Sequence, residues 1–107
     1  MSTVTTHVLD TALGKPAPWV TVRLEHAIDG AVAEAETDAD GRCSLGPDGL
    51  PAGSYRLVFD TGRYFAITGQ PSLYPEVVVS FRLAIDGQHH HLPLLLSPFA
   101  YSTYRGS

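Results

Sequence analysis

Ten glycines and eight prolines are spread along 107 residues at short intervals, and few windows between them are long enough for a helix. The segments left over have strand composition. Val4 to Leu9 is rich in Val and Thr. Val20, Val22 and Leu24 alternate with Thr21, Arg23 and Glu25, the period-two pattern of a half-buried strand. Asp29-Gly30 reads as a hairpin turn into Ala31 to Thr37, and Asp38-Ala39-Asp40-Gly41 as a turn into Arg42 to Leu45. A loop with Pro47, Asp48-Gly49 and Pro51 precedes the strand Tyr55 to Phe59. One helix is expected over Asp60 to Gly69, capped by Asp60 or Thr61 and stopped by Gly69 and Pro71. Glu76 to Ile85 then runs to the turn Asp86-Gly87, and Gln88 to Ser97 returns from it. Pro93 inside that second run predicts an edge position or a bulge. Ala100 to Arg105 is the last strand. About eight strands and one short helix at this spacing predict an all-β antiparallel β-sandwich, with residues 1–107 as a single domain.

Composition narrows the function classes. With 44% apolar and 17% charged residues the chain is not disordered over most of its length. A net charge of -4 argues against nucleic acid as a partner, because phosphate affinity needs clustered Lys and Arg. Cys43 is the single cysteine, so no intrachain disulfide forms and a reducing compartment is compatible. No apolar run approaches the roughly 20 residues of a membrane helix. Neither a basic-apolar leader nor a peroxisomal tail is found at the termini. These features predict a cytoplasmic protein without a membrane partner.

Five histidines in a chain this short are the main chemical anomaly: His7, His26, His89, His90 and His91. Imidazole titrates near neutrality and serves as acid, base or metal ligand. Alternation puts His89 and His91 on one strand face and His90 on the other. A His-x-His pair can chelate zinc, yet two ligands fall short of a site. Solvated histidines at a hairpin end are the plain alternative for His89 and His90, and His26 near a strand end reads as a surface residue. His7 interrupts a Val/Thr strand and shares a face with Thr5 and Leu9. It is either a satisfied core histidine or faces a functional cavity. Arg42 stands at a strand start, where its fork of donors suits a carboxylate or a polarised carbonyl, with a salt bridge to Asp38 or Asp40 as the competing outcome. Cys43 reads as a small core residue, and Ser44 and Ser97 lack a nucleophile-elbow setting. The tail is the second anomaly, since Tyr101 and Tyr104 keep strand-forming aromatics almost to the end. An exposed edge of this kind calls for cover by another subunit.

Both ends of the chain resemble one family. Thr6-His7-Val8-Leu9-Asp10-Thr11 with Gly14-Lys15-Pro16-Ala17 resembles the opening signature of the transthyretin superfamily, as does Pro93-Leu94-Leu95-Leu96-Ser97-Pro98-Phe99-Ala100-Tyr101-Ser102-Thr103. The terminal Tyr104-Arg105-Gly106-Ser107 resembles the mark that separates 5-hydroxyisourate hydrolases from hormone-carrying transthyretins. With Thr37 to Arg42 the resemblance spans essentially the whole chain. It implies a transthyretin-like (prealbumin-like) sandwich of two four-stranded sheets, assembled as a homotetramer (dimer of dimers). It also implies hydrolysis of 5-hydroxyisourate, the unstable product of urate oxidation in purine catabolism, to 2-oxo-4-hydroxy-4-carboxy-5-ureidoimidazoline, with no cofactor or metal. His7, Arg42 and His91 match the family's catalytic positions. Tyr104, Arg105 and Ser107, in the tail that lines the substrate pocket, join His7 and Arg42 as substrate-binding residues. In this family the sites lie in a channel between subunits, a common explanation for His7 and the unfrayed tail. Leu92 stands where Val is commoner, His90 where Tyr is, and Ala100 where Gly is; none is a matched catalytic position.

The chemistry agrees with that resemblance. Opening a cyclic amide by water needs a base, a donor for the oxyanion and an acid for the leaving nitrogen. Two histidines can exchange the first and third roles, and Arg42 can fill the second. On this reading His26 and His89 are dispensable. The rivals are a prealbumin-like binding module, suggested by Gly14 to Pro18 and Ala52 to Leu57, and a non-catalytic transthyretin-like ligand carrier, whose open channel Tyr104 and Arg105 would narrow.

Overall fold

The computed structural model describes residues 3–46, 49–84 and 89–106. Its elements are β1 (Thr3–Asp10), β2 (Lys15–Pro16), β3 (Thr21–His26), β4 (Gly30–Glu36), β5 (Arg42–Leu45), β6 (Gly53–Phe59), α1 (Thr61–Ile67), β7 (Val77–Leu83), β8 (His89–Ser97) and β9 (Ala100–Thr103). They form two sheets. One has the order β4-β3-β6-β7; the other has β2-β1-β8-β9, with β5 also paired to β1. The sandwich is as expected, except that the sheet containing β1 has five strands rather than four because Lys15–Pro16 pairs with Leu9 and Asp10. β2 and β5 share one flank of β1, β5 along Val4 to His7 and β2 beyond it. Among the described residues no helix is long and apolar enough to cross a membrane.

The alternation seen in the sequence sets the core. Val4, Thr6, Val8 and Asp10 are buried, while Thr5, His7 and Leu9 face outward and are half-buried. Val22, Leu24, Leu57, Phe59, Leu94 and Leu96 meet them from both sheets. Each such aliphatic or aromatic side chain contributes about 1.5–3 kcal/mol on burial. Thr6 and Thr37 are buried with their hydroxyls bonded: Thr6 Oγ1 donates to Leu92 O at 2.6 Å and Thr37 Oγ1 to Ala17 O at 2.8 Å.

Three strand expectations change. The stretch expected to return from the Asp86-Gly87 turn does not pair with the one before it. β7 pairs with β6 in one sheet, and β8 pairs with β1 in the other. Period-two patterning reports which residues face the core, not which strand lies alongside. The turn itself lies outside the described residues. The β1–β8 pairing is moreover parallel, an exception in an otherwise antiparallel sandwich. Pro93 sits inside this internal strand without a bulge. Gly106 N–H donates to His91 O, so the odd-numbered residues of β8 direct their backbone groups to the β9 side. There the ladder runs from Ser97↔Ala100 to Leu94↔Thr103, lapses at Pro93, which has no N–H to give, and resumes in the same register at His91↔Gly106.

The helix begins where the capping residue predicted it. Asp60 accepts from Arg63 N, and Tyr64 and Phe65 are buried beneath. Tyr64 Oη donates to Asp10 Oδ2 at 2.6 Å, and the same carboxylate accepts from Gln70 Nε2 at 3.1 Å and, through Oδ1, from Leu13 N at 2.9 Å. Burial pushes the Asp10 carboxyl up, but these donors outweigh it and hold the group below its ordinary value. A carboxylate with a lowered folded-state pKa stabilises the fold fully above about pH 4, and that contribution is lost as pH falls through the lowered value. Asp10→Asn should therefore cost about 1–3 kcal/mol at neutral pH and flatten the acid limb of stability, read by thermal melts between pH 3 and 7. An unchanged midpoint at pH 7 would remove Asp10 from the account.

Candidate active site

The outer face of the five-stranded sheet carries the polar residues that the alternation excludes from the core. In register, His7 on β1 has Arg42 of β5 on one side and Pro93 of β8 on the other. Two residues earlier, Thr5 has Ser44 and His91 as its neighbours. Directly paired residues project to the same side of a sheet, so His7, Arg42 and His91 share this face. An open depression of about 450 Å³ lies there, lined by Thr5, Asp38, Arg42, Cys43, His89 and His91 among others. His7 adjoins Arg42 just outside its lining. His7 is therefore not a core histidine.

The turn before β5 presents Arg42. Asp38 Oδ1 accepts from Asp40 N at 2.9 Å and from Arg42 N at 3.0 Å, and Gly41 N donates to Asp38 O. The Arg42 amide, with burial opposing it, holds the Asp38 carboxyl below its ordinary range. Gly41 takes φ +78°, and a Cβ there would come within 2.4 Å of Val8 O, so only glycine closes the turn against β1. Asp38 thus organises backbone, and among the described residues no ion pair engages the Arg42 guanidinium. The salt bridge to Asp38 or Asp40 that competed with a functional reading does not form.

Each histidine has a distinct setting. His7 Nε2 lies 2.8 Å from Asp40 O. A carbonyl oxygen only accepts, so Nε2 carries the proton and Nδ1 of the neutral ring keeps its lone pair. His91 Nδ1 lies 2.8 Å from Thr5 Oγ1. Burial first, then the positive neighbourhood of Arg42, His89 and His7, lowers the His91 pKa from its ordinary value. His89 lies outward on the same face, with Nε2 2.7 Å from the same Thr5 oxygen. His90 points the other way and is buried, not solvated. His26 is half-buried as well: its Nδ1 accepts from Ile28 N and Asp29 N, and its ring stands edge-on to Tyr55. It caps a turn far from the face just described.

The tail contributes backbone before side chains. Gly106 is held by His91 O at 2.7 Å, and a Cβ at 106 would approach His91 Cδ2 to 2.6 Å. Glycine is what lets the chain end lie against that ring. Continuing the β8–β9 register puts Tyr104 beside Pro93 on the face that carries His7, whereas Arg105 falls on the opposite parity. Both are exposed and neither lines the depression. Ser107 lies outside the described residues. Cys43 borders the depression, but burial pushes its thiol up to about 11, so it is protonated at neutral pH and no nucleophile. Among the described residues no three His, Cys, Asp or Glu side chains are grouped to hold a metal ion. Thr5 and the Asp40 carbonyl are the functional neighbours that sequence reasoning missed. Parity placed Thr5 on the face of His7, but its partners lie on a strand more than eighty residues away.

Residues 4–106 match the model of the HIUase/Transthyretin family. The chain belongs to this family. It is 49% identical over 117 residues to a 5-hydroxyisourate hydrolase of Caulobacter vibrioides, covering 100% of both chains. Among solved structures it resembles the 5-hydroxyisourate hydrolase of Klebsiella pneumoniae, with a TM-score of 0.91 and 41% identity over 100% of this chain and 94% of the other. The transthyretin of Sparus aurata is similar too, with a TM-score of 0.88 and 34% identity over 96% and 95%. The family fold is thus common to enzymes and transthyretins, and what this member does must be argued from its face of His7, Arg42 and His91.

The lowered His91 pKa is open to direct measurement. An NMR titration of the imidazole carbons should place His91 below the ordinary value of about 6.5, and Arg42→Gln should raise it. A midpoint at or above 6.5 in the unmodified protein would contradict the electrostatics described.

Proposed function

We propose that this chain hydrolyses 5-hydroxyisourate, opening the ring by attack of water on its amide carbonyl to give 2-oxo-4-hydroxy-4-carboxy-5-ureidoimidazoline. The observation that carries this reading is the meeting of two differently held imidazoles and a guanidinium on one sheet face. Relatives of matching length that bear the hydrolase name support it. In this scheme His7 Nδ1 takes a proton from water as its oxygen bonds to the carbonyl carbon. The resulting imidazolium is favoured by the bond from Nε2–H to Asp40 O. Arg42 donates to the oxyanion, where charge-assisted bonds are about twice as strong as neutral ones. His91 Nε2–H protonates the ring nitrogen as the C–N bond breaks. Acid–base assistance of this kind is worth about 10²–10⁴-fold. Tyr104, which lies on the face of His7, and Ser107 would complete the pocket wall, whereas Arg105 on the opposite parity would not, and no cofactor or metal enters.

We also infer a homotetramer, a dimer of dimers. The depression is open on a sheet face, and exposed Phe99, Tyr101 and Tyr104 flank the β9 edge. A second copy seated there would exclude water from the site and cover the edge. Light scattering should return four times the 11.5 kDa of the chain, and a stable monomer would count against it. A cytoplasmic setting fits the lone cysteine.

The test is the ultraviolet decay of 5-hydroxyisourate, generated in place by urate oxidase, with and without the protein. Acceleration without added cofactor is expected, and decay at the spontaneous rate would reject the proposal. Arg42→Lys should fold normally yet lose at least about tenfold in kcat/KM, because the ammonium keeps charge but not the planar fork. His7→Asn should fall by at least as much, and His26→Asn should not. Equal rates for the two Asn variants would remove His7 from the mechanism.

A further inference from the structure

Thr5 stands between two imidazoles, its Oγ1 2.8 Å from His91 Nδ1 and 2.7 Å from His89 Nε2. A hydroxyl has one proton and two lone pairs, so a chain of donors can run through it in either direction. The two directions fix opposite tautomers of His91, because Thr5 holds its Nδ1 and only Nε2 is left for a substrate. His89 is exposed at the outer end of this chain, in contact with water.

A positive His91 is disfavoured on this face by burial and by Arg42 from β5, His89 on its own strand and His7 from β1. The Asp38 carboxylate, which also lines the depression, acts in the opposite sense without reversing the direction. A neutral imidazole is a very weak acid. It gives up its N–H only if its other nitrogen gains a proton in the same event.

Resting on the hydrolase reading above, we propose that Thr5 and His89 form a proton relay that lets His91 donate as a neutral ring and recharges it from solvent. In the resting arrangement His89 Nε2–H donates to Thr5, Thr5 O–H donates to His91 Nδ1, and His91 carries its proton on Nε2. As the C–N bond breaks, its electron pair goes to the ring nitrogen, which takes the proton from His91 Nε2. The Thr5 proton moves to His91 Nδ1, the His89 Nε2 proton moves to Thr5, and His89 Nδ1 takes one from solvent. His7 returns to solvent the proton it took from the attacking water, so the count closes. All three relay groups end neutral with the donor chain reversed, and the reverse transfer resets it after product leaves. Thr5 and His89 are positioning residues; they act through His91. The earlier expectation that His89 is dispensable gives way to this contact.

Thr5→Val removes the hydroxyl and keeps the branched shape, while Thr5→Ser keeps the hydroxyl. Thr5→Val should lose at least about tenfold in kcat with KM within about twofold, and Thr5→Ser should restore most of the rate. His89→Ala should slow similarly and recover in added imidazole. Long-range proton–nitrogen NMR should find the His91 proton on Nε2 in the resting protein and a mixture of the Nδ1–H and Nε2–H neutral tautomers in Thr5→Val. A Thr5→Val enzyme at full kcat, a Thr5→Ser enzyme as slow as Thr5→Val, or an unchanged His91 tautomer would overturn the relay. If the unmodified protein fails to open 5-hydroxyisourate, the hydrolase reading falls, and the tautomer measurement alone still decides whether the relay exists.

Discussion

The parallel pairing of β1 with β8 is the constraint on which the site depends. It matches Thr3 to Asp10 with His89 to Leu96, and so joins residues from opposite ends of the chain. Parallel strands need a crossover, and here most of the molecule serves as that crossover. Once the pair is formed, period-two alternation does the rest. Val4, Thr6 and Val8 enter the core with Leu94 and Leu96, and Thr5, His7 and His91 are left together outside. A one-residue slip would exchange the two sets, burying imidazoles and exposing valines. The hydrophobic core therefore fixes the register that holds the polar face.

β5 adds the remaining charge to this face. Its turn uses the Asp38 carboxylate on backbone amides, and among the described residues no acidic side chain forms an ion pair with the Arg42 guanidinium. A guanidinium so placed near His91 has two consequences. Second to burial, it lowers the His91 pKa, and it stays available for the oxyanion of the proposed reaction. Were Arg42 paired to Asp38 instead, both effects would weaken, since the local field would be neutralised.

Much of this was legible in the residues. The limits of β1 and β3 follow to within a residue from Val, Thr and Leu alternation, and the helix start from Asp60, while β6 begins two residues before the expected Tyr55. His7 stood out because a strand position that favours Val or Thr held an imidazole. Sheet partners were not legible, because alternation is blind to which strand lies alongside. That is why a hairpin was expected where β7 and β8 belong to different sheets, and why Thr5 went unnoticed between His89 and His91. Pro93 looked like an edge marker; the structure admits it because its missing N–H falls where the ladder to the tail is broken. Gly106 read as part of a motif, and only the close approach of the chain to the His91 ring gives it a steric reason.

The central claim is that His7 and His91 act as one unit on one bound molecule. A double-mutant cycle on kcat/KM for 5-hydroxyisourate tests it most directly, with His7→Asn, His91→Asn and the pair compared at one pH. Groups that serve a single transition state lose their effect together, so the double variant should be within about threefold of the slower single variant. If the two losses multiply instead, the imidazoles work independently and the shared face is not the reacting unit.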